Sequence, residues 1–347
     1  MKTWGFGIIG AGLIGKVHAQ ALRSLPNAKL VAVCDSVPGR AAALAAEDGA
    51  KAYTDYEEML AQPEIDVVTI ATPSGLHLEP TVAAARAGKH VLSEKPMEIS
   101  LSRIDIMIEA HRKSGTRLGG ILPLRFAPIY DPLLEAVREK RFGVITCASV
   151  HVPWWRSLEY YRGSWRGTRK MDGGGAIMNQ TIHLIDLLCW AMPPVEDIQA
   201  YTATLAHEIE TEDVAVAICR FAGGALGMIY GSTSSFPGQG TRIEITGTQG
   251  TAIIYHNGIA LWSFETERPE DGDIRTRWAI QDETTGASSN PADLLPSRHT
   301  SNFAAFLDAL ETGTPFRVEG AEARKSVAFI EALYEAADRA AAKGRRI

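Results

Sequence analysis

The glycine motif at residues 10–15 constrains the fold of this chain more than any other feature. The stretch GAGLIG has the spacing GxGxxG, follows the apolar run Phe6–Ile9 and opens the amphipathic stretch Leu13–Leu25. In such a strand–turn–helix unit, the first glycine permits the tight turn and the second lets a pyrophosphate approach backbone N–H groups. The third glycine allows the helix to pack closely on the strand. The motif therefore predicts a dinucleotide-binding βαβ unit.

An acidic residue follows at the distance that such units use. Asp35 ends the predicted strand Leu30–Cys34, about 20 residues after the motif, where a carboxylate grips the ribose hydroxyls of the adenosine half. A carboxylate there repels a 2′-phosphate and favours NAD over NADP, although Arg40 could reach such a phosphate. The alternative is a tight turn followed by a surface carboxylate. The predicted cofactor contacts are Gly10, Gly12, Leu13, Ile14, Gly15, Asp35, Arg40, Thr72, His77, Glu94 and Lys95.

The first 122 residues alternate strand and helix patterns. Runs rich in β-branched residues, such as Asp66–Ala71, are typical of strands buried in a parallel sheet. Helical patterns separate these runs along the chain. The alternation predicts a doubly wound parallel sheet, that is, an α/β Rossmann domain over residues 1–122.

The pattern changes after Pro123 and predicts a second, α+β domain over residues 123–347. Strand-like runs are joined by turn residues, including glycine pairs at 223–224 and 247–250, so consecutive hairpins should build a large, open-faced, mostly antiparallel sheet. The polar stretch Glu265–Pro296 predicts loops. The final predicted helix, Ala321–Ala342, is expected to pack back on the Rossmann domain.

Composition excludes several classes of function. A net charge of −6 and a pI of about 5.9 argue against binding to nucleic acid, which needs a basic face. The four cysteines and nine histidines are scattered, so the sequence predicts neither disulfides nor a metal site and favours a reducing, cytoplasmic compartment. No apolar run is long enough to span a membrane. The first apolar run continues into the glycine motif instead of a signal-peptide cleavage site.

A second motif, Glu94-Lys95-Pro96, follows the predicted strand His90–Ser93. It therefore lies at the carboxyl edge of the sheet, where open α/β folds bind ligands. Beside a cationic nicotinamide, Lys95 should release its proton more readily, which suits it to exchange a proton with a substrate hydroxyl. Pro96 favours a cis peptide bond that aims the lysine. The same three residues at another place would more often be a solvated loop.

A third motif, DGGGAIMNQTIHLID, spans residues 172–186. Three glycines lead into the predicted helix, which runs from residue 176 to residue 190. Asn179 and His183 are four residues apart and hence lie on one face of an α-helix. An amide and an imidazole there can hold a hydroxyl and share its proton, and Asp186, three residues beyond His183, could reach the same face. The alternative is a histidine whose hydrogen bonds are satisfied within the core, with Asp186 only orienting it.

Together these motifs resemble the Gfo/Idh/MocA oxidoreductases, named for glucose–fructose oxidoreductase, inositol dehydrogenase and a rhizopine catabolism protein. The resemblance covers nearly the whole chain and rests on GAGLIG, on AGKHVLSEKPM (87–97), on YRGSWRGT (161–168), on DGGGAIMNQTIHLIDLLCW (172–190) and on the run 318–334. It implies a Rossmann domain and a second domain whose free sheet face often forms the oligomer interface. It also implies Lys95 as the catalytic lysine and His183 as the catalytic histidine.

The chain departs from this family pattern at Asn179, where many members have an aspartate. Asparagine cannot act as a general base, so proton handling shifts to Lys95 and His183. Some subgroups that act at C3 of glycosides or of nucleotide-linked sugars resemble this chain in having asparagine there.

An aromatic and arginine-rich stretch, Pro153–Gly174, indicates what the second domain binds. Flat rings can cover the apolar faces of a pyranose, and arginine forks donate to hydroxyls and more strongly to carboxylates or phosphates. A well-packed lid over the domain junction is an equal alternative. The predicted substrate contacts are Asn179, Asp172, Trp165, Arg166, Arg125 and Tyr161.

The sequence thus predicts an NAD-dependent oxidoreductase that transfers a hydride between nicotinamide and a secondary alcohol of a sugar, glycoside or cyclitol, C3 of a pyranoside included. Two alternatives stay open: reduction of a C=N or C=C bond, and a redox-neutral NAD-dependent glycosidase. A non-catalytic NAD-sensing regulator is the rival from another class, which needs neither Lys95 nor His183. Apolar residues on the strands of the second domain predict a homodimer or homotetramer.

Overall fold

The computed structural model describes residues 2–280 and 296–343, and these form two compact units. The first, the Rossmann unit, contains residues 2–126, 170–173 and 296–327. The second unit contains residues 127–169, 174–280 and 328–343. Among the described helices, none combines the length and the apolarity needed to cross a bilayer.

The Rossmann unit is built on six parallel strands in the order β3-β2-β1-β4-β5-β6. The central strands are apolar and buried, as expected for a parallel sheet covered on both faces. This confirms the predicted doubly wound sheet. The strands are β1 (Trp4–Ile9), β2 (Ala28–Cys34), β3 (Lys51–Tyr53), β4 (Val67–Ile70), β5 (His90–Ser93) and β6 (Leu118–Gly120).

Helices connect these strands, and one further helix joins the unit from late in the chain. The connecting helices are α1 (Leu13–Arg23), α2 (Pro38–Ala46), α3 (Tyr56–Leu60), α4 (Leu78–Arg86) and α5 (Leu101–Ser114). The sequence patterns did not predict strand β3 and helix α3, because both are very short. At the start of α3, the Asp55 side chain accepts the N–H of Glu57. Helix α11 (Pro296–Thr312) stacks Phe303 on Phe6, with ring centroids 6.2 Å apart.

The second unit contains a seven-stranded sheet in the order β13-β12-β11-β7-β10-β9-β8. All neighbours are antiparallel except β7 and β10, so the sheet is mixed and mostly antiparallel, as the sequence predicts. The strands are β7 (Ile145–Pro153), β8 (Val195–Ala203), β9 (Val214–Phe221), β10 (Leu226–Ser232), β11 (Arg242–Gly247), β12 (Gly250–Tyr255) and β13 (Gly258–Phe264).

The two faces of this sheet differ in exposure. Ile229, Ile243 and Ile245 are buried. Val216 and Ile218, which lie on β9, are 47% and 56% exposed. One apolar face is therefore covered within the chain, and the other is open.

Several helices flank the sheet or join the two units along the chain. They are α6 (Asp131–Arg138), α7 (Leu158–Tyr161), α8 (Arg169–Asp172), a π-helix (Ala176–Thr181), α9 (Ile182–Ala191), α10 (Pro269–Arg277) and α12 (Gly320–Lys343). The first turns of α12, up to Val327, belong to the Rossmann unit.

Helix α10 corrects the prediction of loops over residues 265–296. The helix has no periodic apolar face, and that periodicity is the main pattern by which a helix is predicted. Its stability depends instead on buried Asp271, whose carboxylate accepts hydrogen bonds from Trp262 Nε1 at 2.6 Å and from Arg141 at 2.7 and 2.8 Å. Residues 281–295 of the predicted loop lie outside the described part of the chain.

Candidate active site

The glycine turn after β1 has the form that a phosphate cradle needs. Gly10 has φ of +103°, and a Cβ atom there would lie 2.5 Å from the carbonyl oxygen of Ala71. A Cβ at Gly15 would lie 2.1 Å from the carbonyl oxygen of Gly10, so α1 packs too closely for a side chain. A Cβ at Gly12 would meet nothing within 4 Å. Open space therefore lies beside the N-terminus of α1, where Leu13 and Ile14 begin the helix and a pyrophosphate would fit.

Asp35 is fixed beside this turn at the carboxyl end of β2. Its Oδ2 accepts the N–H of Ala11 at 2.8 Å, and its Oδ1 accepts the N–H of Val37 at 2.9 Å. Both oxygens keep lone pairs for ribose hydroxyls. Arg40 lies on α2 and is exposed.

His77 joins the segments that follow β4 and β5. Its buried ring places Nε2 3.0 Å from the carbonyl oxygen of Thr72, and Nδ1 3.0 and 3.1 Å from the carbonyl oxygens of Pro96 and Met97. Thr72 in turn donates its hydroxyl to the carbonyl of Leu76. The structure therefore gives His77 backbone contacts, and contact of His77 or Thr72 with a cofactor stays a prediction.

Lys95 is the one partly exposed residue between Val91 and Glu98. Its backbone N–H donates to Glu94 Oε2 at 3.1 Å, and the Lys95–Pro96 peptide bond is cis, as the sequence predicts. The carboxyl end of β5 therefore presents Lys95 from otherwise buried surroundings.

Glu94 lies in a buried hydrogen-bond network that the sequence did not reveal. Its Oε1 lies 3.0 Å from Nε2 of His18 on α1 and 3.5 Å from Nε2 of His299 on α11. Burial opposes ionisation of Glu94, but hydrogen bonds from both imidazoles outweigh it and hold the pKa of this carboxyl well below its usual range. Burial lowers the pKa of His18, so a neutral imidazole donates to an ionised carboxylate. The Thr69 hydroxyl, 3.2 Å from His18 Nδ1, completes the arrangement.

The same three residues are those that could hold a metal ion. Among the described residues, His18, Glu94 and His299 form the only group of three whose ligand atoms lie within 4.8 Å of one another. Two imidazoles and a carboxylate are suitable ligands for zinc. The 3.0 Å distance between His18 and Glu94 is nevertheless that of a direct hydrogen bond, which satisfies both groups without an ion.

In the second unit, Asn179 and His183 stand out by exposure. They are the only residues between Gly174 and Leu188 that are not fully buried, so this stretch reaches the surface at these two positions. Asp186, three residues beyond His183, is 1% exposed. The two residues that the sequence singled out are therefore the accessible polar groups of an otherwise buried segment.

The segment that bears Asn179 is a π-helix over Ala176–Thr181, where the sequence predicted continuous α-helix. The Thr181 hydroxyl donates to the carbonyl of Ala176 at 2.8 Å, and this side-chain bond supplies a partner for that carbonyl in the wider turn. Short π segments inside helices are frequent at functional sites. Only from Ile182 onward is the helix a regular α-helix.

Glu212, which belongs to none of the sequence motifs, holds the start of this π-helix. Its carboxylate accepts the N–H groups of Gly175 at 3.0 Å and Ile177 at 2.9 Å, and its backbone carbonyl accepts the N–H of Ala176 at 3.0 Å. The hydroxyl of Tyr334, on α12, donates to the same carboxylate at 2.9 Å. Burial raises the pKa of Glu212, and these hydrogen bonds offset part of that effect.

A sequence signal for such a partner does exist. The three-glycine entry leaves the helix without a capping side chain of its own, so an acceptor must come from elsewhere in the chain. The sequence does not say which residue supplies it.

The remaining predicted substrate contacts fall in two places. In the second unit, Tyr161 is buried and donates to the Thr233 hydroxyl at 2.9 Å, while Trp165 and Arg166 are half-buried. In the Rossmann unit, Asp172 is buried. Substrate binding by these residues stays a prediction.

Arg125, also in the Rossmann unit, is 1% exposed. Its Nη1 lies 3.2 Å from the carbonyl oxygen of Arg317 and 3.4 Å from Glu322 Oε2. These contacts anchor the guanidinium within its own unit, and contact of Arg125 with a substrate stays a prediction.

Comparison with protein families matches most of the chain. Residues 4–120 match the model of an oxidoreductase family with an NAD-binding Rossmann fold, and residues 130–253 match the GFO/IDH/MocA C-terminal domain. The chain is 33% identical over 255 residues to a myo-inositol 2-dehydrogenase of Thermotoga maritima, which covers 70% of this chain and 73% of that protein. It is 28% identical to an inositol 2-dehydrogenase of Rhizobium meliloti, with 99% and 98% covered.

A solved structure is also similar to this chain. The WlbA dehydrogenase from Bordetella pertussis, crystallised with NADH and UDP-GlcNAcA, superimposes with a TM-score of 0.87 at 34% identity, covering 97% of each chain. The similarity therefore extends over both units of the chain.

Proposed function

The chain belongs to the Gfo/Idh/MocA family of oxidoreductases, and from that premise we propose that it transfers a hydride between NAD and a secondary alcohol of a sugar, glycoside or cyclitol. The observation that carries the proposal is the order of groups along the carboxyl edge of the Rossmann sheet. Asp35 follows β2, the glycine turn follows β1, Thr72 comes just after β4, and Lys95 comes just after β5. The strands are neighbours in that same order.

This order suits a dinucleotide that lies across the edge of the sheet. The adenosine ribose would lie by Asp35 and the pyrophosphate by Gly12, because those positions offer a carboxylate and open space beside N–H groups. The nicotinamide half would then extend toward β4 and β5. A carboxylate at the ribose end supports NAD over NADP, and exposed Arg40 is the residue that could weaken this preference.

The bound nicotinamide supplies the hydride chemistry, and the protein's share is to orient the substrate and to move its proton. In our proposal Lys95 and His183 exchange the proton of the reacting hydroxyl, since oxidation of an alcohol carbon requires loss of that proton as well. Asn179 is partly exposed, as His183 is, but its amide has no acid–base capacity, so it orients the hydroxyl. Lys95→Ala combined with His183→Ala should be less than additive if both act on one proton transfer.

The substrate class is supported by what the relatives are named for. The Thermotoga protein is an inositol dehydrogenase, and the Bordetella structure contains NADH with UDP-GlcNAcA. Rings with several hydroxyls also suit the aromatic side chains of residues 153–169 and the arginines there that are not fully exposed, Arg156 and Arg166.

The test is a panel of pyranosides, cyclitols and uronates supplied with NAD or NADP, followed by absorbance at 340 nm. The proposal predicts NADH formation with at least one panel member. Release of an aglycone without net absorbance change would indicate the redox-neutral glycosidase instead. Tight NAD binding with no turnover of any compound, in either direction, would favour the sensor and contradict the proposal.

A further inference from the structure

The guanidinium groups of two arginines in the second unit lie beside the same aromatic ring. The Cζ atoms of Arg156 and Arg166 lie 5.5 Å and 4.6 Å from the ring centroid of Tyr160. Arg156 also lies 4.9 Å from the ring of Trp154, and Arg166 lies 5.2 Å from the ring of Trp165. We call these five residues the aromatic–arginine cluster. Two like charges held around one ring repel each other, so the cluster concentrates positive charge.

The charge of Arg156 is held away from water. The residue is 4% exposed, and its Nη1 donates to the carbonyl of Trp155 at 2.7 Å. Burial lowers the pKa of its guanidinium, and the charge of Arg166 adds to that effect. Aromatic faces contribute about 0.5–2 kcal/mol to holding a cation. A negative group bound to the cluster would interact favourably with both guanidinium groups.

Two buried polar atoms beside the cluster have no hydrogen-bond partner within the described part of the chain. They are Nε1 of Trp154, which can only donate, and Oε1 of Gln180, which can only accept. A buried polar atom without a hydrogen-bond partner lowers the free energy of unfolding by roughly 1–3 kcal/mol. A ligand hydroxyl could pair with either atom, because a hydroxyl donates and accepts.

Gln180 connects the cluster to the segment that bears Asn179. Its Nε2 donates to the Tyr160 hydroxyl at 3.4 Å, and Gln180 directly follows Asn179 on the π-helix. The cluster is therefore hydrogen-bonded to the residue that directly follows Asn179 along the chain.

We propose that the aromatic–arginine cluster binds an anionic substituent, a carboxylate or a phosphate, on the sugar ring of the substrate; this inference rests on the proposed function and narrows its substrate class. Guanidinium forks match the planar arrangement of such oxygens, and Arg cannot lose its charge at working pH. The ring faces of Trp154, Tyr160 and Trp165 offer apolar surface for a pyranose.

The test measures binding separately from turnover. Enzyme saturated with NADH is titrated calorimetrically with D-glucuronate, D-glucose 6-phosphate and D-glucose at constant ionic strength. We expect one of the two anions to bind at least about tenfold more tightly than glucose, the size of one charge-assisted contact. Which anion binds tighter distinguishes a carboxylate from a phosphate.

Arg166→Gln is the main variant because Arg166 is half-buried and its removal leaves the core intact. It should weaken binding of the preferred anion about tenfold and change glucose binding less than twofold. Arg162→Gln is the matched control, since Arg162 is an exposed arginine of the same stretch paired with Glu159 at 2.9 Å; it should change neither. Thermal melts of both variants, with a Tm like that of the unmodified protein, exclude a damaged fold as the cause of any change.

Equal or weaker binding of both anions than of glucose, or an equal effect of Arg166→Gln on charged and neutral ligands, would overturn this inference. Neither result contradicts the proposed function. That proposal fails only if no sugar or cyclitol exchanges hydride with NAD. Conversely, selective anion binding without any turnover would keep the cluster as an anion site and defeat the dehydrogenase assignment.

Discussion

Oε1 of Glu94 lies 3.0 Å from Nε2 of His18, and both side chains are buried. Burial lowers the pKa of His18 although the bond to Glu94 opposes this effect, and burial opposes ionisation of Glu94 but hydrogen bonds from the imidazoles outweigh it and lower the pKa of the carboxyl. The second oxygen of Glu94 accepts the backbone N–H of Lys95. The residue before the proposed catalytic lysine is thus fixed by a helix that begins at the glycine turn.

This buried network predicts that stability falls in acid. A histidine whose pKa is lowered on folding stabilises the protein above its unfolded value of 6.5, and this contribution is lost as the pH falls toward the folded pKa. Burial lowers the pKa of His111 to about 4, so it acts in the same window. Glu94 adds a further loss below its unfolded value of 4.5, because its folded pKa is lowered.

We therefore expect the Tm to be level above about pH 7 and to fall steadily between pH 6.5 and 4. Thermal melts followed by circular dichroism at several pH values across that range measure this change in Tm. His111→Gln should flatten part of the slope, whereas a Tm unchanged from pH 8 to pH 5 would contradict the burial argument.

The second prediction concerns cofactor choice. The Asp35 carboxylate, held by the N–H groups of Ala11 and Val37, should make NAD the better cofactor. Asp35→Ala removes charge-assisted hydrogen bonds to the ribose, so kcat/KM with NAD should fall roughly 10- to 100-fold and the gap to NADP should narrow. Arg40→Ala is the comparison variant. If the unmodified enzyme already prefers NADP, the role given to Asp35 is wrong and Arg40 is the first residue to examine.

The third prediction separates the roles of Lys95, His183 and Asn179. Loss of a general acid–base group costs about 10²- to 10⁴-fold in kcat, so Lys95→Ala and His183→Ala should each fall in that range with little change in NAD affinity. Asn179→Ala should act mainly through KM, because it removes binding of the hydroxyl and not proton transfer. Steady-state kinetics on the best panel substrate provide the comparison. Near-normal kcat in His183→Ala with an inactive Asn179→Ala would reverse these roles.

The fourth prediction concerns Glu212 as a positioning residue for Asn179 and His183. Glu212→Gln replaces one acceptor oxygen with an NH₂ group, which would face the N–H of Gly175 or Ile177. We expect the π-helix to shift, kcat to fall about tenfold and NAD affinity to change less than about threefold, since leaving one buried N–H without its acceptor costs roughly 1–3 kcal/mol.

Tyr334→Phe removes a single bond to the same carboxylate and should have a smaller effect in the same direction. Glu335→Gln is the matched control on α12, because Glu335 is exposed and pairs only loosely with Arg339, at 3.7 Å. Variants that lose thermal stability but keep full kcat would show that Glu212 supports the fold alone.

The fifth prediction concerns assembly. Val216 and Ile218 leave an apolar strip on the open face of the second sheet, and Met228 lies opposite Ile218 across the strands. Such a face is unfavourable in water unless another subunit covers it. Light scattering should therefore give a dimer or tetramer at micromolar concentration. Ile218→Glu should dissociate it and Glu208→Lys, at an exposed position outside the strands, should not; a monomeric unmodified protein would contradict the prediction.

Much of the Rossmann unit could be predicted because its signals are local in sequence. A left-handed turn at Gly10 needs glycine, close packing at Gly15 needs the same residue, and both requirements fall within one short motif. The buried strand β4 is predictable from its continuous β-branched run, and Lys95 is placed by the buried strand β5 that precedes it. Helix α10 could not be predicted from such local signals. Its Asp271 side chain bonds to Arg141 and Trp262, which lie elsewhere in the chain.

The doubly wound sheet, the glycine turn and the two polar residues Asn179 and His183 follow from local sequence patterns alone. Which distant side chains meet Glu94, and which meet the start of the π-helix, depends on tertiary packing. His18 and His299 meet Glu94 because α1 and α11 both pack on the same unit, and Glu212 reaches the start of the π-helix from the turn before β9. The physical reason is that a buried carboxylate needs donors, and the donors it finds depend on how the elements pack and not on their distance along the chain.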